Sequence, residues 1–473
     1  MPLWCVMNIR KYIGNKEFYK KVLVITLPIL VQQVITNFVS LIDNIMVGQI
    51  GTEQMSGVAI VNQLIYVFNV CIFGGISGAG IFTAQYFGKG DHKGVRATFR
   101  AKLIIVSLMS ALCIGLFLLF SEELISLFLH QGQDNLDLSA TLLYGKEYMK
   151  IMLFQLPLFA LTQAYAGTLR ETGRTVPPML GGMAAVVVNV VLDYVLIFGV
   201  DFLSIPAMGV EGAAIATVIS RVCEFLVVVL WTHFNTEKNK FIKGAYRSFR
   251  IPRELMAGIM RKGFPLMINE VLWSTGQAVL VQCYSTRGLE AVSAMNISST
   301  VSNLFFCAFF AFGSAISIVV GQLLGAGELE RAIDEDRKLI FTAVVVCVVI
   351  GAAMAFLSPL FPQIYNTTDT VKSIATECLF ISSVMMPFHG FIHTAYFTLR
   401  SGGKTVVTFL FDSVYVWVIL IVVAFSLSRF TTLDVVKMYA IVQSLDILKC
   451  IVGYILVNKG VWVNNLVEDK SAA

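Results

Sequence analysis

The chain has 473 residues, of which 57% are hydrophobic and only 14% are charged, and its formal net charge is +5. Ordinary soluble domains carry about 25% charged residues. The chain is long enough for two or three soluble domains, but it lacks the polar surface that they would need.

Twelve apolar segments are long enough to cross a bilayer as helices. The first is too long for the core of a signal peptide and has no small-residue cleavage site nearby, so we expect it to be retained. The segments lie at 22–46, 56–82, 97–121, 142–166, 177–199, 210–233, 258–283, 291–321, 339–359, 375–398, 406–428 and 434–457. They predict an all-α polytopic membrane protein.

Positive charges give the orientation of these spans. Most Lys and Arg residues fall at the N-terminus, after the even-numbered spans and at the C-terminus. This bias predicts that both termini are cytoplasmic, and it explains the net charge without a nucleic acid partner. Six basic residues lie on the opposite side, namely Lys146, Lys150, Arg287, Lys372, Arg429 and Lys437.

The two halves of the chain are repeats. A shift of 237 residues places Pro28 on Pro265 and "QYFGKGD" (85–91) on "QLLGAGE" (322–328). A shift of 230 places "TLRETGRTV" (168–176) on "TLRSGGKTV" (398–406). Because each half holds six spans, the halves are parallel repeats, which predicts two pseudo-symmetric six-helix bundles with a central cleft.

This repeat predicts five regions along the chain. A cytoplasmic N-terminal segment and an N-lobe of spans 1–6 come first, followed by a basic cytoplasmic linker, a C-lobe of spans 7–12 and a cytoplasmic tail. Their predicted boundaries are 1–21, 22–234, 235–257, 258–458 and 459–473.

Polar side chains follow helical spacing inside several spans. Such stripes cannot all face lipid, because unpaired polar groups there cost several kcal/mol each. We therefore expect them to line an interior cavity. The predicted lining residues are Gln32, Thr36 and Ser40 in span 1, Asn62 and Tyr66 in span 2, Asn269 and Gln277 in span 7, and Asn296 in span 8.

Ionisable residues within the spans are the stronger signal, because a buried carboxylate is expensive unless it has a function. Asp43, Asp193, Glu270 and Asp412 are the candidates, and Asn189 lies one helical turn before Asp193. The alternative role is interhelical hydrogen bonding. For Asp412 the two roles are equally supported. The basic residue Arg221 is three positions before Glu224, which predicts a structural ion pair.

Two histidines, His389 and His393, also lie one turn apart. A zinc site would need a third ligand, and no nearby residue supplies one. Packing with hydrogen bonds is the favoured role, and a role in proton coupling is the alternative. The nine cysteines are scattered, without a CxxC pair, and five of them lie within spans, which indicates packing rather than disulfides or metal binding.

Five motifs, in this order along twelve spans, resemble the MATE (multidrug and toxic compound extrusion) transporters. The motifs are "PILVQQVITNFVSLIDNIMVGQIG" (28–51), "QYFGKGD", "TLRETGRT", "NVVLDYVLIFG" (189–199) and "GVEGAAIATVIS" (209–220). The resemblance covers nearly the whole chain. It implies alternating access and drug efflux driven by inward Na⁺ or H⁺, in the plasma membrane, by a monomer without a cofactor.

The resemblance also implies site residues. In members with an N-lobe cation site, the matching residues here are Asp43, Asn189 and Asp193, and Thr217 in "GAAIAT" is a further match after a loop of variable length. Other members place an acidic pair on spans 7 and 10. This chain departs from that pattern, because Glu270 lies only near the span-7 position and His389 stands where an aspartate is expected.

Oxygen ligands of this kind suit Na⁺, but the same carboxylates could carry a proton, because burial disfavours the charged form. No other metal site is predicted. We expect the substrates to be drug-like, amphipathic organic cations, since no lysine was found on the same faces as the carboxylates. Aromatic and Met side chains would hold their apolar parts.

Three alternatives compete with efflux. A flippase for lipid-linked oligosaccharides would need more spans or a more cationic cavity. A membrane-embedded enzyme would need a catalytic constellation, and no connection holds a metal or nucleophile motif. A channel is disfavoured by the repeated halves around acidic residues. Efflux therefore remains the predicted function.

Overall fold

The computed structural model describes residues 11–128, 137–200 and 205–468, without the side chains of residues 39–41, 44, 45 and 48. The described residues form helices, with three 3₁₀ turns at Lys240–Ile242, Ala245–Arg247 and Phe361–Ile364. The helices are α1 Lys16–Gly48, α2 Thr52–Lys89, α3 His92–Leu119, α4 Ser121–Ser126, α5 Leu138–Met152, α6 Gln155–Glu171, α7 Val176–Phe198, α8 Gly209–Phe234, α9 Arg253–Ser285, α10 Leu289–Ala326, α11 Leu329–Leu357, α12 Asp369–Ser401, α13 Thr405–Phe430 and α14 Val435–Asn458.

All twelve predicted spans fall on these helices, so the predicted all-α fold class is confirmed. Ten of the described helices are long and apolar enough to cross a membrane. The other two predicted spans fall on α9, where polar residues interrupt the apolar sequence, and on the pair α5 and α6. In the structure span 4 is divided into α5 and α6 by a turn at Leu153 and Phe154. Pro157 lacks the N–H that would continue the helix from α5 into α6.

The repeat is visible in the bounds of the helices. A shift of 237 residues carries both ends of α1 onto those of α9, and both ends of α2 onto those of α10. Helices α2 and α10 have 38 residues each, which corresponds to roughly 57 Å at 1.5 Å per residue. This length exceeds the hydrocarbon core of about 30 Å, so both helices extend beyond it.

The chain forms two compact units. One comprises Val31–Thr83 and His92–Met260, and within it α7 packs along α8. The other comprises the chain up to Leu30, Ala84–Asp91 and the chain from Arg261 onwards. The beginning of α1, up to Leu30, and the end of α2, from Ala84, belong to the second of these units, whereas the predicted N-lobe contains both segments. The predicted lobe boundaries stay predictions.

The first turns of α1 lie in the core of the second unit. Phe18, Val22, Ile25 and Ile29 share a buried apolar cluster with residues of α10, α11 and α12. Pro28 lies within α1 close to the residue at which the unit changes. A proline inside a helix removes one backbone hydrogen bond and permits a bend, so α1 is most easily bent at this position.

Helix α7 places the first candidate residues. It begins with Val176 and Pro177, and proline is well suited to a first turn because the missing N–H has no partner there. The helix ends at Gly199, which has a φ of 75°. A Cβ at this glycine would lie 2.7 Å from the backbone nitrogen of Ala207, so only glycine fits this turn. Asn189 and Asp193 are thereby held on one buried face.

Candidate functional site

Two carboxyl groups meet in the first unit. The carboxyl groups of Asp43 on α1 and Asp193 on α7 lie within hydrogen-bonding range of each other. Asp193 is 2% exposed and Asn189, one turn earlier, is 6% exposed. Two adjacent carboxylates repel each other, so both can be charged only with a cation between them, and otherwise they share a proton.

Some polar atoms of this pair and its neighbour have no partner. Among the described residues, no hydrogen bond reaches Asp43 Oδ1, Asp193 Oδ2 or Asn189 Nδ2, although all three atoms are buried. A buried carboxylate oxygen without a donor is costly. The two oxygens are of the type that hard cations prefer. The donor set therefore fits Na⁺ or a proton.

Tyr148 on α5 completes this cluster, and sequence reasoning missed it. Its hydroxyl donates to Asn62 Oδ1 at 3.3 Å and lies near the Thr217 side chain. It lies close enough to Asp43 and Asp193 for electrostatic interaction. In the sequence Tyr148 stands between Lys146 and Lys150, and nothing in that local pattern marks it as a site residue. The packing of α5 on α8 places it inside.

The remaining candidates of this unit are placed as follows. Thr217 Oγ1 donates to the backbone oxygen of Ala213 at 3.0 Å. Arg221 pairs with Glu224 at 2.7 Å, so the predicted structural ion pair is confirmed. Gln32 and Asn62 are half-buried, and Thr36 and Tyr66 are exposed. The Ser40 side chain lies outside the described residues.

A groove of about 530 Å³ runs beside this cluster, but its walls are apolar. None of the predicted polar lining residues contributes to it, so their role in a cavity stays a prediction. The groove is lined by residues of α1 and α7, namely Val34, Ile35, Phe38, Ile42, Val186, Val187, Val190 and Val191.

A second polar network lies in the other unit, around Asn269 on α9. Its Nδ2 donates to Asp412 Oδ2 at 3.0 Å, and its Oδ1 accepts from Ser413 Oγ at 2.8 Å. The Tyr396 hydroxyl donates to Glu270 Oε1 at 3.1 Å. Asp412 and Ser413 lie in a π-helical turn of α13, a distortion that is frequent at functional sites.

Lys449 on α14 neutralises Asp412. Its Nζ donates to Asp412 Oδ1 at 2.7 Å, and its side chain is 6% exposed. The expectation that no lysine shares a face with the carboxylates is therefore wrong for Asp412. The reason is that helices distant in sequence supply the partner, which a pattern along one helix cannot show.

The two histidines do not join this network as ligands of one ion. His389 pairs with Asp446 at 3.2 Å, and His393 Nδ1 contacts the backbone oxygen of His389 at 3.2 Å. The His393 ring packs on Phe309 with 4.2 Å between ring centres. This arrangement agrees with packing and hydrogen bonding. Of the other candidates in this unit, Gln277 is half-buried and Asn296 is exposed.

Comparison with known proteins identifies the family. The MatE family model matches residues 28–195 and 265–426, which is most of the chain and includes both halves of the repeat. The chain belongs to the MatE family. It is therefore a member of a family of transporters, and the resemblance seen in its motifs is confirmed.

Relatives of this MatE protein agree with the assignment. It is 25% identical to the probable multidrug resistance protein NorM of Thermotoga maritima, over 88% of this chain and 86% of that one. It is 24% identical to the probable multidrug resistance protein YoeA of Bacillus subtilis, with 87% of each chain covered. A MATE protein crystallised with MaL6 shares the fold with a TM-score of 0.84 at 18% identity, covering 96% of this chain and 98% of that chain.

Proposed function

We propose that this MatE protein is a secondary active efflux transporter that exports amphipathic organic cations in exchange for inward Na⁺ or H⁺. It would work by alternating access in the plasma membrane, as a monomer with both termini in the cytoplasm. The names of the relatives, which are multidrug resistance proteins, support drug export. The buried carboxyl pair supports coupling to a cation.

The observation that carries the proposal is the contact between Asp43 and Asp193. Their mutual repulsion means that the pair must acquire positive charge, as Na⁺ or as H⁺, to be stable in a buried place. Asp43, Asn189, Asp193 and Thr217 would form the coupling site, and the Tyr148 hydroxyl would orient it through its hydrogen bond to Asn62. A cation bound there stabilises whichever state brings these groups together.

The second unit would contribute differently. Asp412 has its positive charge supplied by Lys449, and His389 has Asp446. Asp412 therefore needs no external cation for neutrality, and the His389 ring already has a partner.

Glu270 accepts a hydrogen bond from the neutral Tyr396 hydroxyl, and Arg400 acts on it electrostatically rather than through an ion pair among the described residues. We therefore propose that Glu270, rather than Asp412 or His389, is the residue of this network with which a cationic substrate interacts.

The experiment is efflux of a fluorescent organic cation from proteoliposomes under separately imposed Na⁺ and H⁺ gradients. We expect one gradient to drive export, and Asp43→Asn or Asp193→Asn to abolish it while membrane insertion is normal. Removing a charge that is costly to bury does not harm the fold.

Asp137→Asn is the matched control. Asp137 caps α5 by accepting from Ser139 N and Ala140 N at an exposed position, and asparagine caps helices equally well. This variant should therefore transport normally. If the Asp193→Asn protein were still driven by the same gradient at the wild-type rate, the coupling site would lie elsewhere.

A further inference from the structure

The two copies of the repeated Gln–Gly motif cross each other at the ends of α2 and α10. A Cβ at Gly88 would lie 1.8 Å from the backbone oxygen of Gln322, and a Cβ at Gly325 would lie 1.9 Å from that of Gln85. These contacts are related by the 237-residue shift. The helices touch backbone to backbone, which only glycine allows.

The C-terminal segment 461–468, which we call the strap, is fastened to this crossing. The Gln85 side chain is 0% exposed. Its Nε2 donates to the backbone oxygens of Ser401 and Asn464, at 3.2 Å each. Its Oε1 accepts from the backbone nitrogen of Leu466 at 2.7 Å. One buried side chain thus holds both the strap and the end of α12.

Further contacts fix the strap on either side of Gln85. Lys89 Nζ, at the end of α2, donates to the backbone oxygen of Val467 at 2.7 Å. Trp462 is buried in the apolar cluster, and its Nε1 donates to the backbone oxygen of Val457 at 3.1 Å. At Gly402 a Cβ would lie 1.6 Å from the backbone oxygen of Trp462, so the strap passes directly over this turn.

We propose that the strap clamps the end of α2 onto α10 and thereby stabilises the state that is closed to the cytoplasm. This inference rests on the proposed alternating access. The end of α2 cannot leave α10 while Gln85 keeps its bonds to Asn464 and Leu466. Contacts made only in the crossed arrangement favour that arrangement, so the strap sets how readily the cytoplasmic side opens.

The test measures access from the cytoplasm to a reporter cysteine on α2. Ser77→Cys, in a background without the nine native cysteines, serves as the reporter because Ser77 is 3% exposed and lies two turns before Gln85. A membrane-impermeant maleimide is added to inside-out vesicles. We expect Gln85→Ala, and separately a stop after Gly460, to label at least about tenfold faster than the intact chain, because several hydrogen bonds are lost.

Gly88→Ala should also label faster, since its new Cβ meets backbone. Gly115→Ala is the matched control, because a Cβ there meets nothing within 4 Å, and its labelling should be unchanged. Size-exclusion profiles verify folding, and the truncated chain decides the test if Gln85→Ala does not fold. A folded, truncated protein that labels at the intact rate overturns the proposal. If the intact chain fails to transport while truncation still speeds labelling, the strap is supported and efflux is the part that fails.

Discussion

The pair of Lys449 and Asp412 allows a test of how burial changes the contribution of an ion pair to the free energy of unfolding. The distance between Lys449 Nζ and Asp412 Oδ1 is 2.7 Å, and the two side chains are only 6% and 14% exposed. Asp412 also accepts from Asn269. Removing one partner of a buried pair leaves a charge without compensation and costs about 3–5 kcal/mol. We expect Lys449→Met to lower the free energy of unfolding by that amount.

The chain supplies its own control. Lys437 and Asp434 form an ion pair of the same 2.7 Å length, but their side chains are 67% and 50% exposed. Lys437→Met should therefore leave the free energy of unfolding unchanged, because solvent screens such pairs. Replacing both buried partners, as Lys449→Met with Asp412→Leu, should recover most of the loss, since no charge is left behind.

The assay is reversible unfolding in mixed micelles by titration with sodium dodecyl sulfate, followed by tryptophan fluorescence. The three variants and the wild type are compared under one set of conditions. Equal losses of unfolding free energy for Lys449→Met and Lys437→Met would refute the reasoning. The distance between the two charges, rather than their burial, would then determine the contribution of the pair. A double variant as unstable as Lys449→Met would mean that the loss comes from the Asn269 amide, which donates to Asp412 in the wild type, rather than from an uncompensated charge.

Three further predictions concern transport. Tyr148→Phe should fold normally but weaken coupled efflux, because the hydroxyl that donates to Asn62 beside the carboxyl pair is lost. Unchanged coupling in proteoliposomes would mean that Tyr148 is not part of the site. Pro28→Ala should weaken coupling more than Pro265→Ala, because α9 has Leu280 where α1 has Asp43. Equal effects of the two variants in the gradient assay would show that the ion does not act through α1. In a panel of matched dyes the cationic members should be exported faster, and preference for the anionic members would contradict the assignment of the substrate class.

The sequence by itself determined the all-α fold class and the order of the membrane-spanning segments. The length of an apolar segment decides whether it can cross a bilayer, and this length can be found from neighbouring residues alone. The repeat was equally readable, because duplicated residues such as Pro28 and Pro265 keep their spacing, and the helix bounds of α1 and α9 follow it. Asn189 and Asp193 were found on one face because four residues make about one helical turn.

Tertiary structure decided which polar residues meet. Tyr148 joins Asn62 because α5 packs closely on α2, where a Cβ at Gly57 would lie 2.9 Å from the backbone nitrogen of Gly145. Lys449 reaches Asp412 across α14 and α13, and Gln85 holds Leu466, which is 381 positions away. Such pairings depend on how helices are rotated and crossed, and hydrophobic periodicity gives only the buried face of each helix. A charged residue within an apolar segment indicates that it needs a partner, but only the packed fold determines which residue that partner is.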